Sequence, residues 1–202
     1  DLSKIEAGKT DVLNESFDIV VMLREVAETT RILIGNKPVN VEVIAHDGPV
    51  FINSDPVKVK QILTNLTSNA AKFTENGKIV LSIITEGENI KISVSDTGMG
   101  IKETDLNRLF QPFSQLEHTR SKKYEGTGLG LTITENIVRL LKGRISVSSK
   151  FGEGTAFTVY LPINQSIITN EQINAQDAGH QTLLHDVKTI ILTKHEESYG
   201  KK

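Results

Sequence analysis

Apolar side chains recur along this chain at two spacings, and the switches between them predict its elements. Leu23, Val26, Thr30 and Leu33 fall three and four residues apart between Asp18 and Gly35. That is the repeat of one helix face, with Asp18 as a capping residue and Pro38 just past the end. Val39 to Ile44 alternate as a strand, Asp47-Gly48-Pro49 marks a turn, and Val50 to Asn53 form a second short strand. Asp55 followed by Pro56 is a strong helix start. Val59, Ile62, Leu66, Ala70 and Phe73 then make an apolar stripe that stops near Glu75-Asn76-Gly77. Two strands follow, joined at Glu86-Gly87-Glu88-Asn89. In the second, Ile90, Ile92 and Val94 alternate with Lys91, Ser93 and Ser95, the period of a sheet with one buried face. Residues 97–128 are glycine-rich and polar, which predicts a long, partly helical loop. A helix over 128–142 carries Ile133, Ile137, Leu140 and Leu141 on one side and ends at Gly143. The last strands run from Arg144 to Ser149 and from Thr155 to Leu161, around a Gly152-Glu153-Gly154 turn.

This order predicts an α/β fold with a mixed sheet, helices on one face and one long loop. The ends read differently. Asp1 to Gly8 resemble the last turns of a helix stopped by glycine, as expected of a piece of a longer protein. Residues 163–184 are rich in Asn, Gln, Thr and Ser and read as a linker. Val187 to Thr193 form a strand-like apolar run, the expected start of a further module.

Charge and composition narrow the function. A net charge of -2 gives no basis for binding a phosphate backbone, so no nucleic acid is expected as partner. The chain has no cysteine, which excludes a disulfide framework, a thiolate metal site and a Cys nucleophile. No apolar run reaches the roughly 18 residues of a membrane span.

Three segments carry candidate chemistry. Asn65, Asn69 and Lys72 project to one side of the 55–74 helix, beside its apolar stripe. An amide oxygen is a neutral hard ligand for Mg²⁺, and an ammonium neutralises phosphate. Taken alone, the same spacing suits a solvated helix face. Next, a strand ends on Asp96, followed by Thr97-Gly98-Met99-Gly100-Ile101. A carboxylate there could accept from the exocyclic amine of adenine, and the glycines allow close approach. Asp-Thr-Gly is also the aspartic-protease triplet, but that chemistry needs two carboxylates sharing a proton, and the chain holds no second copy. Third, Gly126-Thr127-Gly128-Leu129-Gly130-Leu131 opens a helix, where freed N–H groups attract anions. Its spacing is neither the dinucleotide fingerprint nor a P-loop. Arg120, Lys122 and Lys123 lie just upstream as cations for a phosphate tail.

In this order the segments resemble the catalytic domain of sensor histidine kinases, part of the superfamily that includes gyrase, Hsp90 and MutL. Asn65 to Thr74 is similar to the N box and Asp96 to Ile101 to the G1 box. Leu109-Phe110-Gln111-Pro112-Phe113 is similar to the F box, Gly126 to Leu131 to the G2 box, and Gly152 to Phe157 to the last glycine turn. Asp1 to Lys9 resemble the end of the family's dimerisation hairpin. The resemblance implies a two-layer α/β sandwich: a mixed, mostly antiparallel sheet, helices on one face, and a long ATP lid over about 102–127. It implies three parts: residues 1–13 as the end of the hairpin, 14–163 as the ATP-binding catalytic domain, and 164–202 as linker and possible start of another module.

By the same resemblance, Asn69 would hold Mg²⁺, with Asn65 near the phosphates and Lys72 on one of them. Phe73 would flank the nucleotide, and Asp96 would take the adenine amine, with Gly98, Gly100 and Ile101 in the same loop. Gly126, Thr127, Gly128, Leu129, Gly130 and Leu131 would wrap the triphosphate. Phe110 and Phe113 would dock the lid, Arg120 and Lys122 would reach phosphate, and Thr155 would complete the ATP site. The implied activity is γ-phosphoryl transfer from Mg-ATP to a histidine on the dimerisation helices of the same protein, within a homodimer. A response regulator would lie downstream. The implied location is the cytoplasm, whether or not the parent protein is membrane-anchored.

Two departures shape the expectation. None of His46, His118, His180, His185 and His195 matches the phosphoacceptor, which the family places before residue 1, so ATP binding without normal autophosphorylation is expected. Hydrolysing relatives place a Glu base where this chain has Asn65, and an amide cannot take a proton from water. A hydrolysing enzyme and a non-enzymatic nucleotide-binding scaffold stand as alternatives. Lys188 to Leu192 occupy the place where a hybrid kinase begins a receiver domain, yet Thr193-Lys194-His195 follow instead of paired acids. A degenerate module and a disordered tail fit that equally.

Overall fold

A computed structural model describes residues 11–113 and 128–164. Two short strands, β1 (Glu15–Asp18) and β3 (Phe51–Ser54), pair antiparallel and each feeds a helix. Asp18 accepts from the Val20 N–H and starts α1 (Ile19–Ile34). Asp55 accepts from the Lys58 N–H and starts α2 (Pro56–Phe73). Both carboxylates satisfy backbone donors that a helix start leaves orphaned. Asp55 also accepts from the Leu13 N–H at 3.1 Å and the Lys58 ammonium at 2.7 Å, while that ammonium reaches the Asp11 carbonyl. The incoming chain is thereby tied to the start of α2. Burial pushes the Asp55 carboxyl up, but these hydrogen bonds and the nearby ammonium outweigh it and leave its pKa below the usual value.

The main sheet has five strands in the order β2 (Val39–Ile44), β4 (Gly77–Glu86), β5 (Asn89–Asp96), β7 (Gly154–Pro162), β6 (Arg144–Lys150). β2 and β4 are parallel, joined by a crossover through α2, and every other pair is antiparallel. A single turn, α3 (Glu103–Leu106), follows β5, and α4 (Gly130–Leu140) precedes β6. The inward positions Ile79, Leu81, Ile83, Ile90, Ile92, Val94, Phe157, Val159 and Leu161 are buried with apolar residues of α1, α2 and α4. This is the predicted two-layer α/β sandwich with a mixed, mostly antiparallel sheet.

The helix phases differ from expectation in two places. Leu33 is 55% exposed, and Ile34 takes the core position beside Leu23, Val26 and Thr30. In α4 the buried residues are Thr132, Thr134, Ile137 and Val138, with Leu141 buried just beyond; Leu140 is half-buried. Two buried threonines broke the apolar pattern that placed that face. The helix also begins at Gly130, two residues later than predicted, because Gly128 has φ 70, outside helical geometry. β1 was not predicted: Glu-Ser-Phe-Asp has a single apolar residue and so no alternation.

Candidate nucleotide site

At one end of the sheet the inward row turns polar. β4 ends its core face on Ile79, paired with Asp96 of β5; Asp96 pairs with Thr155 of β7, and Thr155 with Ser149 of β6. One step further in, the same row is Leu81, Val94, Phe157 and Val147. The core therefore closes on a strip of one carboxylate and two hydroxyls.

Asp96 is partly buried. Burial raises its pKa above the usual aspartate value, and the Gly98 and Thr155 backbone N–H groups, which donate to the carboxylate, pull it back in part. The Gly98 donor lies 2.8 Å from Oδ1. A half-buried acceptor held by two fixed dipoles is suited to a ligand N–H.

The loop after Asp96 is stitched to the end of α2. The Met99 N–H donates to the Phe73 carbonyl at 3.4 Å. A Cβ on Gly98 would stand 2.5 Å from that carbonyl oxygen, so a side chain there has no room. Gly100, at φ +64, lies against the Lys150 carbonyl. Both glycines are thus required by the protein's own backbone contacts, in addition to any ligand approach. The Lys37 ammonium caps the same helix end, donating to the Ala71 and Thr74 carbonyls at 2.9 and 3.1 Å.

α2 presents the first candidate set. Asn65, Asn69 and Lys72 are half-buried, and the Lys72 ammonium stands 5.1 Å from the centre of the Phe73 ring. Phe73, placed in the apolar stripe by its spacing, is 36% exposed. Asn65 points at α4: its amide donates to the Gly130 carbonyl at 3.4 Å and to Thr134 Oγ1 at 3.3 Å. This brings Gly128, Leu129, Gly130 and Leu131 beside α2, with open space where a Gly130 Cβ would be.

Of the residues expected to dock the lid, Phe110 packs against the core and its carbonyl accepts from Thr132 Oγ1 at 3.0 Å. Leu109 is buried, whereas Phe113 is 72% exposed and does not dock. Ile101 packs on the core, and its N–H donates to Ser149 Oγ. Arg120, Lys122, Lys123, Gly126 and Thr127 lie outside the described residues, as do His118, His180, His185 and His195. Sequence reasoning missed Ser149, Thr134 and Lys37, and named Leu109 in the F-box segment without giving it a docking role. For Ser149 and Thr134 a signal existed: each is a hydroxyl at a position whose periodicity calls for an apolar residue.

Among the described residues no group of three or more His, Asp and Glu side chains could hold a metal. The donor chemistry fits Mg²⁺ held by phosphate oxygens and water, a mode that needs few protein ligands, with an amide oxygen to assist.

Residues 54–165 match the family described as Histidine kinase-, DNA gyrase B-, and HSP90-like ATPase. The chain belongs to this family. It is 39% identical over 207 residues to hybrid signal transduction histidine kinase B of Dictyostelium discoideum, covering 99% of this chain and 10% of that protein. It is 35% identical to the circadian input-output histidine kinase CikA of Synechococcus elongatus, over 92% of this chain and 26% of that protein. The chain thus spans about a tenth of the first relative and about a quarter of the second. Among solved structures, full-length ShkA in complex with AMPPNP superposes with a TM-score of 0.72 at 27% identity, over 81% of this chain and 34% of that one. The catalytic domain of histidine kinase ThkA superposes with a TM-score of 0.66 at 26% identity, over 75% of this chain and 97% of that one. The fold is that of histidine kinase catalytic domains.

Proposed function

We propose that residues 14–163 bind Mg-ATP and transfer its γ-phosphoryl group to a histidine on dimerisation helices of the same protein. One observation carries this reading: α2 joins two polar segments, its end at Phe73 stitched to the loop after Asp96 and its Asn65 amide bonded to the start of α4 at Gly130. Asp96 accepts the adenine amine, and Phe73 flanks the ring. Lys72 and the N–H groups around Gly128–Gly130 neutralise the triphosphate, joined by Arg120, Lys122, Gly126 and Thr127. Asn69 assists Mg²⁺, which would offset charge on the phosphates. The bond from the γ-phosphorus to the ADP oxygen breaks as one to the imidazole nitrogen forms. Such transfer depends on positioning and charge neutralisation, which matches a site with few reactive side chains.

Residues 1–13 then end the dimerisation hairpin, and 164–202 form a linker with the possible start of another module. A response regulator takes the phosphoryl group onward, in the cytoplasm. Asn65 argues against a hydrolytic role. Its amide engages Gly130 and Thr134, and it has no lone pair basic enough to activate water. The test is transfer of radiolabelled γ-phosphate to a histidine-bearing dimerisation domain added in trans. Acid-labile label on that domain, absent with Asp96→Asn, is expected; release of free phosphate without labelled partner would contradict the kinase reading.

A further inference from the structure

The nucleotide reading gives Asp96 and Thr155 a task and leaves the third polar member of the row, Ser149, without one. Ser149 occupies the inward position that Ile145 and Val147 establish along β6. Its hydroxyl oxygen accepts the Ile101 N–H at 2.8 Å, donates to the Gly154 carbonyl at 2.8 Å and stands 2.9 Å from Thr155 Oγ1. A hydroxyl carries a single proton. With the Ser149 proton on the Gly154 carbonyl, the contact to Thr155 is closed by the threonine's own proton. Thr155 then has no proton left to offer and presents lone pairs only.

Thr155 faces Asp96 directly across the β5–β7 ladder. Asp96 already takes backbone N–H donors and is an acceptor itself. The two side chains together therefore offer acceptors and no donor. The 6-amino group of adenine, directly or through a bridging water, has N–H protons for both. A 6-oxo group in its place sets lone pairs against lone pairs, and buried acceptors left unpaired are costly.

We propose that Ser149 is a specificity-determining positioning residue: by fixing Thr155 as an acceptor, it makes the site select a 6-aminopurine over a 6-oxopurine nucleotide. The inference rests on the nucleotide-binding reading. Ser149 also anchors Ile101 and Gly154, so its loss will loosen the site in general. General loosening weakens every nucleotide alike, whereas a polarity role changes the ratio between two.

The experiment measures competition by ATP and by inosine triphosphate, with Mg²⁺, against a fluorescent ATP analogue on the 202-residue chain. The variants are Ser149→Ala, Ser149→Thr, Thr155→Val and the double variant Ser149→Ala/Thr155→Val. Wild type should prefer ATP by about 100-fold or more, and Ser149→Ala should reduce that preference by about ten-fold, because the released Thr155 hydroxyl can rotate to donate. Ser149→Thr keeps a hydroxyl and should stay within about three-fold of wild type. In the Thr155→Val background, Ser149→Ala should leave the preference unchanged. Equal weakening of both nucleotides by Ser149→Ala would overturn the inference, as would a further loss of preference in the valine background. A wild type that binds both equally also overturns it while leaving the nucleotide reading intact. A folded wild type that binds neither defeats that reading and the inference with it.

Discussion

Asn65 on α2 donates to Thr134 on α4 at 3.3 Å, and Thr134 Oγ1 itself donates to the Gly130 carbonyl at 2.9 Å. The amide and the buried hydroxyl thus hold the glycine-opened start of α4 against the helix that carries Asn69 and Lys72. Thr134→Val keeps the shape and removes both bonds. It should lower stability by about 1 kcal/mol in chemical denaturation, with a proportionally larger loss in nucleotide affinity than in stability.

Gly98 sits between the Asp96 carboxylate and the Phe73 backbone. A Cβ there meets backbone that cannot swing aside. Gly98→Ala should cost about 1–3 kcal/mol, read from the urea midpoint, because the loop or the end of α2 must shift. Gly87 has open space where its Cβ would stand but a positive φ (60), a conformation Gly98 does not adopt, so Gly87→Ala separates backbone strain from steric clash. It should cost about 1 kcal/mol and leave ligand binding unchanged.

Asp55 and Asp96 should respond to pH in opposite directions. The folded pKa of Asp55 is lowered, so its contribution is fully present above the unfolded value of about 3.8 and is lost as pH falls through the folded value. Asp55→Asn, which retains a cap, should be less stable than wild type at neutral pH, and the gap should close in acid. Asp55→Ala, which loses the cap as well, should cost about 1–2 kcal/mol more. Thermal melts at several pH values would show this.

The folded pKa of Asp96 is raised, so its ionisation opposes folding. That penalty is absent below 3.8 and grows as pH rises through the folded value. Asp96→Asn should therefore gain stability relative to wild type as pH rises, while losing nucleotide binding. A site residue that costs stability and supports binding is the expected trade.

Much of this architecture was legible in the chain because its strands alternate cleanly. Ile90, Ile92 and Val94 announce an inward face, and Asp96 at the next inward position announces where that face meets something polar. The Asp55-Pro56 start of α2 was equally plain. What failed did so for physical reasons. Leu33 and Ile34 are both apolar at a helix end, so spacing alone could not say which one the core takes. Thr132 and Thr134 are buried because they hydrogen-bond to the Phe110 and Gly130 carbonyls, partners that no local pattern encodes. Leu109, not Phe113, docks the segment after α3, since tertiary contact decides which apolar residue of a loop turns inward. Gly98 looked like room for a ligand and proves also to be room for the Phe73 carbonyl.

Whether Asp96 holds adenine is read by calorimetric titration of a non-hydrolysable ATP analogue with Mg²⁺ into wild type and Asp96→Asn. The wild type should bind, and binding should collapse in a variant at least as stable at neutral pH. A folded wild type that takes up no nucleotide, or a variant that binds as tightly as wild type, would contradict the assignment of Asp96 and the polar end of the sheet to adenine.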